Sequence, residues 1–496
     1  MSKFLRLMSL LLACLMLVSV FTACGITDDP VATGDGSEAA TEVVTDPVDE
    51  ALNALRGEAD WGGKDFGIVY INDIAGYTEE VEAIESEGGD TSKSGVINDA
   101  VFERNSLFED YCNLKFVLIP LSSGAIMSRV QGEVQTATGD FQLITQHTAG
   151  TASAATSGYL YNYLNLDIDY EQEWWDAGTL EFALMGNVFF MDGPFNIVDD
   201  DVTFVMMFNK KLREEYKVAN PYDTVKSGDW TLDYFNSIIS QLATENGDGK
   251  WDEKDTYGFS CPNSIGDTFF YGSGLQYIVN NRDMDEPELV LSTKMEQALN
   301  VLAISRSIVH DNNSSYVAIA GNEGKAKDIF IEGRGLFYCE AASYLRSLNA
   351  EMTTEYGVIP IAKYDKAQEN YTTWRHSIGS TLSIPTSVAG GDIDRFAKVL
   401  ETYCLLSQKL VRPAYYEVML TTRNVQDVES SEMLDLIFLH RTYDMAMYFD
   451  SLGFGGLFAS AVASSGDNFS SKYAAQAKTF DRKLKNIFRK LEQLEK

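Results

Sequence analysis

Two short runs in this chain set residue types at spacings that imply chemistry. In the first, Val20-Phe21-Thr22-Ala23-Cys24, a small pair stands immediately before a cysteine, the arrangement that presents a thiol for lipidation once the leader is cut away. The leader, 1–23, has a positive start at Lys3 and Arg6 and an apolar stretch from Leu7 to Phe21. That stretch is shorter than the roughly 20 residues needed to span a bilayer, so it reads as a secretory signal peptide and not as an anchor helix. Phe21 is a departure, because Leu is the usual residue three before such a cysteine. Two or more acyl chains on Cys24, palmitate among them, would hold the protein at the extracytoplasmic face of the cell membrane. The second run, Thr244 to Asp255, approximates a calcium loop. Asn246, Asp248, Asp252 and Asp255 fall at its third, fifth, ninth and twelfth positions, with Gly249 at the turn. Thr244 replaces the first carboxylate, and Asp255 is shorter than the usual bidentate Glu. The same residues can close a polar loop through Asx turns without metal. No cofactor is required, and calcium would serve only as a structural staple.

Catalytic signatures are missing. There is no GxSxG elbow, no HExxH and no P-loop. Gly453-Phe454-Gly455-Gly456 has Phe458 where a dinucleotide loop needs its third glycine, and reads as a turn. Lys plus Arg number 39 against 73 for Asp plus Glu, a net charge of −34 that repels nucleic acid and anionic headgroups. Of six cysteines, Cys14 lies in the leader and Cys24 is the lipid site. Cys112, Cys261, Cys339 and Cys404 are far apart with no CxxC pair, so metal-ligand spacing is absent. Buried thiols and two disulfides both remain open to them.

The elements that must position any site follow from periodicity. With 496 residues, 45% hydrophobic and 23% charged, the chain is long enough for two lobes. Residues 24–60 are acidic and lack any aromatic residue, and read as a flexible linker. Order begins at Trp61, with a strand at Phe66 to Ile71, a helix carrying Ile97, Val101, Phe108 and Cys112, a strand at Leu114 to Ile119 ended by Pro120, and a strand at Phe141 to Thr145. Strand and helix in alternation predict a parallel sheet with helices on its faces. Val202 to Phe208 reads as a continuous apolar strand. Helices are expected near Trp230 to Leu242, Thr293 to Val309, Arg395 to Leu410, Glu432 to Phe449 and Ser471 to Glu495.

Val202-Thr203-Phe204-Val205-Met206-Met207-Phe208-Asn209-Lys210-Lys211-Leu212 resembles the strand-to-helix segment of family 1 extracellular solute-binding proteins, the maltose-binding type of receptor for ABC importers. Gly228 to Asp233, Asn246 to Gly249, Asp255 to Phe259, Gly333 to Tyr338, Tyr356 to Pro360, Lys363 to Tyr371 and Glu429 to Asp435 follow in the order of the clostridial-type branch. The resemblance covers nearly the whole mature chain. It implies an α/β fold of two lobes joined by hinge crossings, the class II periplasmic-binding-protein-like arrangement. Mapped onto this chain, the N-terminal lobe is 61–198 and 384–440, and the C-terminal lobe is 200–380 and 442–496. Crossings are expected near Asn196 to Thr203, Ser377 to Leu382 and Arg441.

The resemblance also implies a monomeric, non-catalytic receptor that holds a carbohydrate between its lobes and hands it to the transmembrane subunits of an ABC permease. A peptide or another polar solute is the alternative cargo, and a surface carbohydrate-active enzyme the alternative class. Aromatic rings cover the C–H face of a sugar, while carboxylates, amides and guanidiniums bond its hydroxyl rim. The ligand candidates are therefore Asn72, Asp73 and Tyr77 after the first strand, and Gln146 and His147 at a strand end where such sheets bind ligand. Asp199 and Asp201 belong to three adjacent acids whose repulsion needs an offset. Phe270 and Tyr271, Glu340 and Tyr344, and Trp374, Arg375 and His376 complete the set. Trp174-Trp175 reads as a structural wedge.

Overall fold

The computed structural model describes residues 46–492 except 75, 84–94, 281–282, 285, 312, 320, 323, 423–424, 427, 465 and 467. The signal peptide, Cys24 and most of the expected linker lie outside the described residues. The linker's last part is a helix, Pro47–Leu55. Asp46 caps it by accepting from the Val48 N–H at 2.8 Å, and Pro47 sits in its first turn, where no N–H is needed. Val48 and Leu52, one turn apart, bury their side chains against the body. Composition hid this helix because two aliphatic residues suffice to dock it.

Ten strands form two five-stranded sheets. The chain lays down β1 (Lys64–Ile71), β2 (Leu114–Leu121), β3 (Leu143–His147) and β4 (Phe190–Met191), then crosses over. It builds β5 (Phe204–Asn209), β6 (Tyr257–Pro262), β7 (Ser315–Ala318), β8 (Gly335–Ala341) and β9 (Tyr356–Ile359), and returns for β10 (Ser380–Ser383). The first sheet runs β2-β1-β3-β10-β4 and the second β9-β5-β8-β6-β7. β1 is parallel to β2 and β3, whereas β10 is antiparallel to its neighbours, with Ser380 opposite His147. Residues 66–71 of β1 and all of β5 are buried, as expected of strands covered on both faces. Gly67 is required where the chain passes close: a Cβ there would stand 2.4 Å from the Asp140 carbonyl oxygen. β2 continues through Pro120, which its place at the sheet edge permits.

Helix Val96–Cys112 buries Ile97, Val101, Phe108 and Cys112 on one face. Helix Ile393–Leu406 packs on it and runs into a π-turn at Ser407–Val411. Two assignments from sequence need correction. The expected helix over 432–449 is helix Val428–Leu439, an extended Arg441–Thr442 and a short helix Met445–Tyr448. Helix Val428–Leu439, placed by sequence in the first lobe, packs on β9 of the second sheet, where the Ser430 hydroxyl accepts from the Val358 N–H at 2.9 Å. The terminal helix, Phe469–Glu492, buries Tyr473, Phe480, Leu484, Ile487 and Leu491, and lies against helix Thr148–Thr156 of the first sheet's half.

Three segments pass between the sheets side by side. Thr203 bridges Arg375, and Thr373–Trp374 pairs in parallel with Arg441–Thr442. Glu80 fastens this region. Its carboxyl accepts from the Thr145 hydroxyl of β3 (2.9 Å), the Ser380 hydroxyl of β10 (2.8 Å) and the Val198 N–H of the first crossing (3.1 Å). Burial nevertheless pushes it from 4.5 up to about 8. Burial likewise moves Asp201 to about 7 and Asp267 and Asp444 to about 6. A raised carboxyl favours folding while it is protonated, so its contribution is complete below the unfolded value and is lost as pH rises through the folded one. The melting temperature therefore rises as pH is lowered from 8 to 5, and Glu80→Gln flattens that rise because its amide stays neutral throughout. Melting curves across this range check it; an unchanged slope in the variant would remove Glu80 from the role.

Candidate functional site

Where the crossings meet, aspartates and arginines form one buried cluster. Helix Ile197–Asp201 carries Asp199 and Asp200 into it, and the short helix Ala177–Glu181 carries Asp176 as its cap. The Arg375 guanidinium, wholly buried, pairs with Asp192 at 2.8 Å and Asp199 at 2.7 Å, and donates to the Thr148 hydroxyl at 3.0 Å. Arg441 pairs with Asp199 (2.6 Å), Asp200 (2.8 Å) and Asp176, and Arg412 with Asp200 at 2.8 Å. The Tyr443 hydroxyl donates to Asp176 at 2.7 Å. Its ring and that of Tyr448 flank Arg375 at 5.2 and 5.6 Å. Burial pushes Asp192 well above the usual carboxylate range; Arg375 offsets this only in part, and Asp199 and Asp176 add to it. Burial acts on Asp176 in the same direction, yet Arg441 and the bonds from Tyr443 and the Gly178 N–H outweigh it and hold its carboxyl low.

The residues singled out from sequence are spread through the scaffold. Asn72 is exposed at the end of β1. Asp73 accepts from the Ser123 N–H at 2.8 Å and so caps helix Ser123–Thr136. Tyr77 is buried and donates to the Ile378 carbonyl at 2.6 Å. Gln146 is buried in the ladder opposite Thr381. His147 caps helix Thr148–Thr156, its Nδ1 accepting from the Gly150 N–H at 2.9 Å, and burial holds its imidazole below the ordinary value. The repulsion among Asp199, Asp200 and Asp201 is offset by the protein itself, since Asp201 is held by Arg346 at 3.1 Å and by the Tyr415 hydroxyl at 3.1 Å. Phe270 stacks on Tyr277 and Tyr271 donates to Asp444 at 3.4 Å, both in the core. Glu340 accepts from the N–H of its neighbour Ala341, and Tyr344 leans on Tyr338. Trp374 lies flat on Phe204 at 4.9 Å and donates to the Thr268 hydroxyl at 3.1 Å, so its ring is taken up by packing. His376 is exposed, and its Nδ1 accepts from the Ile378 N–H at 3.2 Å. Trp174 and Trp175 are a wedge, as their sequence suggested, with Trp175 edge-on to Tyr170 and Phe195.

The open space lies one turn beyond His147. A cavity of about 410 Å³ separates helix Thr148–Thr156, through Ala149, Ala152, Ser153 and Thr156, from the segment Tyr448, Phe449 and Ser451 and from Lys483, Asn486, Ile487 and Lys490 of the terminal helix. Its size is within the 300–1,000 Å³ of small-ligand pockets, and one of its walls is the helix that follows β3. Tyr448 and Phe449, the hydroxyl residues Ser153, Thr156 and Ser451, Asn486 and two lysines line it. A groove of about 490 Å³ elsewhere borders Asp176, Arg412 and Arg441, but those groups are committed to each other, as is Asp435 to the Tyr416 hydroxyl. Sequence reasoning reached helix Thr148–Thr156 through His147 and missed the opposite wall, because nothing local brings residues 483–490 to residues 149–156.

The loop at 246–255 is closed by its own backbone. Asp255 accepts from the N–H groups of Asn246 (2.9 Å) and Asp252 (2.7 Å), while Asn246, Asp248 and Asp252 accept from Asp248, Lys250 and Lys254 at 3.0, 2.9 and 2.9 Å. Among the described residues no group of three or more His, Cys, Asp or Glu is placed to hold a metal ion. Cys112, Cys261, Cys339 and Cys404 are buried free thiols.

No protein-family model matches the sequence, and no curated protein matches it. Solved structures share the fold. UspC of M. tuberculosis is 12% identical, with 83% of this chain covering 98% of that one at a TM-score of 0.55. An ABC substrate-binding protein of Listeria monocytogenes in complex with cycloalternan is 12% identical, over 84% of this chain and 99% of that one, at 0.51. The GacH receptor of Streptomyces glaucescens, solved with acarbose, is 12% identical over 85% and 99%, also at 0.51. The fold is the two-lobed α/β architecture of these solute-binding proteins.

The cluster generates the prediction for this region. Arg375→Ala leaves Asp192 and Asp199 buried beside too little positive charge and costs about 3–5 kcal/mol of stability, to be read from denaturant unfolding. A loss below about 1 kcal/mol would show that the charges are solvated in solution.

Proposed function

We propose that the protein captures a carbohydrate in the cavity between helix Thr148–Thr156 and the terminal helix and delivers it to an ABC permease. The observation that carries this reading is the cavity's place and lining. It lies beside the helix that follows β3, in a fold of two halves joined by three crossings, and Phe449 and Tyr448 line it together with Ser153, Thr156 and Ser451. An apolar face beside a hydroxyl and amide rim matches a sugar's own division into C–H face and polar edge. Support also comes from the neighbours solved with cycloalternan and acarbose, both carbohydrates. The reading assigns no catalytic step to the chain. Its membrane attachment rests on Cys24 and the leader before it, and among the described residues no helix is long and apolar enough to cross a membrane.

Two measurements test it. In a thermal-shift and calorimetric screen of mono- and oligosaccharides, at least one sugar raises the melting temperature and binds at micromolar or tighter affinity. Ser153 is exposed on the cavity wall, so Ser153→Trp fills the space and lowers that affinity by about tenfold or more, a loss of about 1.4 kcal/mol, with little change in the ligand-free melting temperature. A screen in which no sugar binds removes the proposal. For the anchor, Cys24→Ser moves the protein from the membrane fraction to the medium, and retention on membranes by the variant would show another means of attachment.

A further inference from the structure

The cavity's charge runs against that of the chain. The protein carries 73 acidic side chains against 39 basic ones, yet among the described residues the cavity wall holds Lys483 and Lys490 and no carboxylate. The two lysines stand seven residues apart on the terminal helix with Asn486 between them, a spacing that returns all three to one face. Lys483 is held in place, its ammonium donating to the Leu452 carbonyl at 2.7 Å and to the Gln476 side-chain oxygen at 2.9 Å. An ammonium has three donors, so one hydrogen of Lys483 remains to offer. Lys490 is exposed at the edge of the space. The facing wall of Ala149, Ala152, Ser153 and Thr156 is small and uncharged, and adds nothing that would repel a negative group.

The field of a strongly acidic protein turns anions away at a distance, so an anionic solute needs local cations where it binds. The cavity supplies two. Resting on the carbohydrate reading above, we infer that the solute taken here carries an anionic substituent, a carboxylate, phosphate or sulfate on the sugar, held between Lys483 and Lys490. Hydrogen bonds to a charged group are worth more than neutral ones, enough for discrimination of about tenfold or more over an uncharged analogue.

Calorimetry of the full chain at low salt with matched probes tests the inference: galactose against galacturonate, glucose against glucose 6-phosphate and glucose 6-sulfate, and maltotriose against trigalacturonate. At least one anionic member binds about tenfold or more tightly than its neutral partner, and the gap narrows at high salt, because exposed charges are screened. Lys490→Gln, at an exposed position, reduces the gap without lowering the melting temperature, and Lys483→Gln reduces it further. Neutral sugars that bind as tightly as their charged partners, with Lys490→Gln unchanged, would show that the lysines belong only to the helix's solvated face; the anion inference then fails while carbohydrate capture stands. If no probe of either kind binds, both fail together.

Discussion

Four carboxylates and three guanidiniums share one largely buried cluster where the chain passes between its two sheets: Asp176, Asp192, Asp199 and Asp200 with Arg375, Arg412 and Arg441. Each charge taken from water is costly, and only close pairing with satisfied hydrogen bonds offsets it. The members come from separate stretches of chain: Asp176 and Asp192 from the first half, Asp199 and Asp200 from the first crossing, Arg375 from the second, Arg441 from the third. None of them is tolerable alone in that environment. The crossings are therefore bound to one another by mutual need, more than by their short strand ladders. The cluster holds one carboxylate more than it has guanidiniums, and burial pushes Asp192 well above the usual carboxylate range.

That constraint shapes what is left for a ligand. A pair such as Asp199 and Arg375, with a tryptophan alongside, has the residue types of a sugar site, but its charges are paired inside the protein. Trp374 lies between Phe204 and Tyr271, and Arg375 is enclosed by two carboxylates and two tyrosine rings. The cavity beside the terminal helix is bordered instead by side chains whose loss would leave no buried charge behind, such as Ser153, Ser451, Asn486 and Lys490. Tyr448 joins the two regions, its ring flanking Arg375 and also lining the cavity.

Local pattern foretold much of the scaffold. The apolar run of β1, the one-sided burial of Ile97, Val101, Phe108 and Cys112, and the buried run of β5 are properties of short windows, and they fold as those windows dictate. Trp374 and Asp199 have the residue types of ligand contacts, but residue type alone does not say that partners lie within the protein, as they do here. Asp199 meets Arg441 across some 240 positions, and no local signal encodes such a pairing. Val428–Leu439 has a helical pattern that says nothing about which sheet it will cover, and β9 claims it through Ser430. The docked helix Pro47–Leu55 shows the converse error, where acidic composition concealed a capped turn with two buried aliphatic residues.

The cavity depends on the same non-local geometry. One of its walls begins at the strand end that ordinary α/β reasoning identifies, with His147 capping the helix that forms it. The other comes from the far end of the chain, where Phe480, Leu484, Ile487 and Leu491 pin one face of the terminal helix inward and turn Asn486 and Lys490 outward. The apolar period that seats this helix thus also determines which polar residues reach the cavity. A shift of one residue in its packing would rotate Lys483, Asn486 and Lys490 by about 100° and bring either Leu484, Ile487 and Leu491 or Arg482, Lys485 and Arg489 to the wall in their place. The recognition surface is in this sense a by-product of core packing, and its selectivity is only as well defined as the seat of Ile487 and Leu491 against the body.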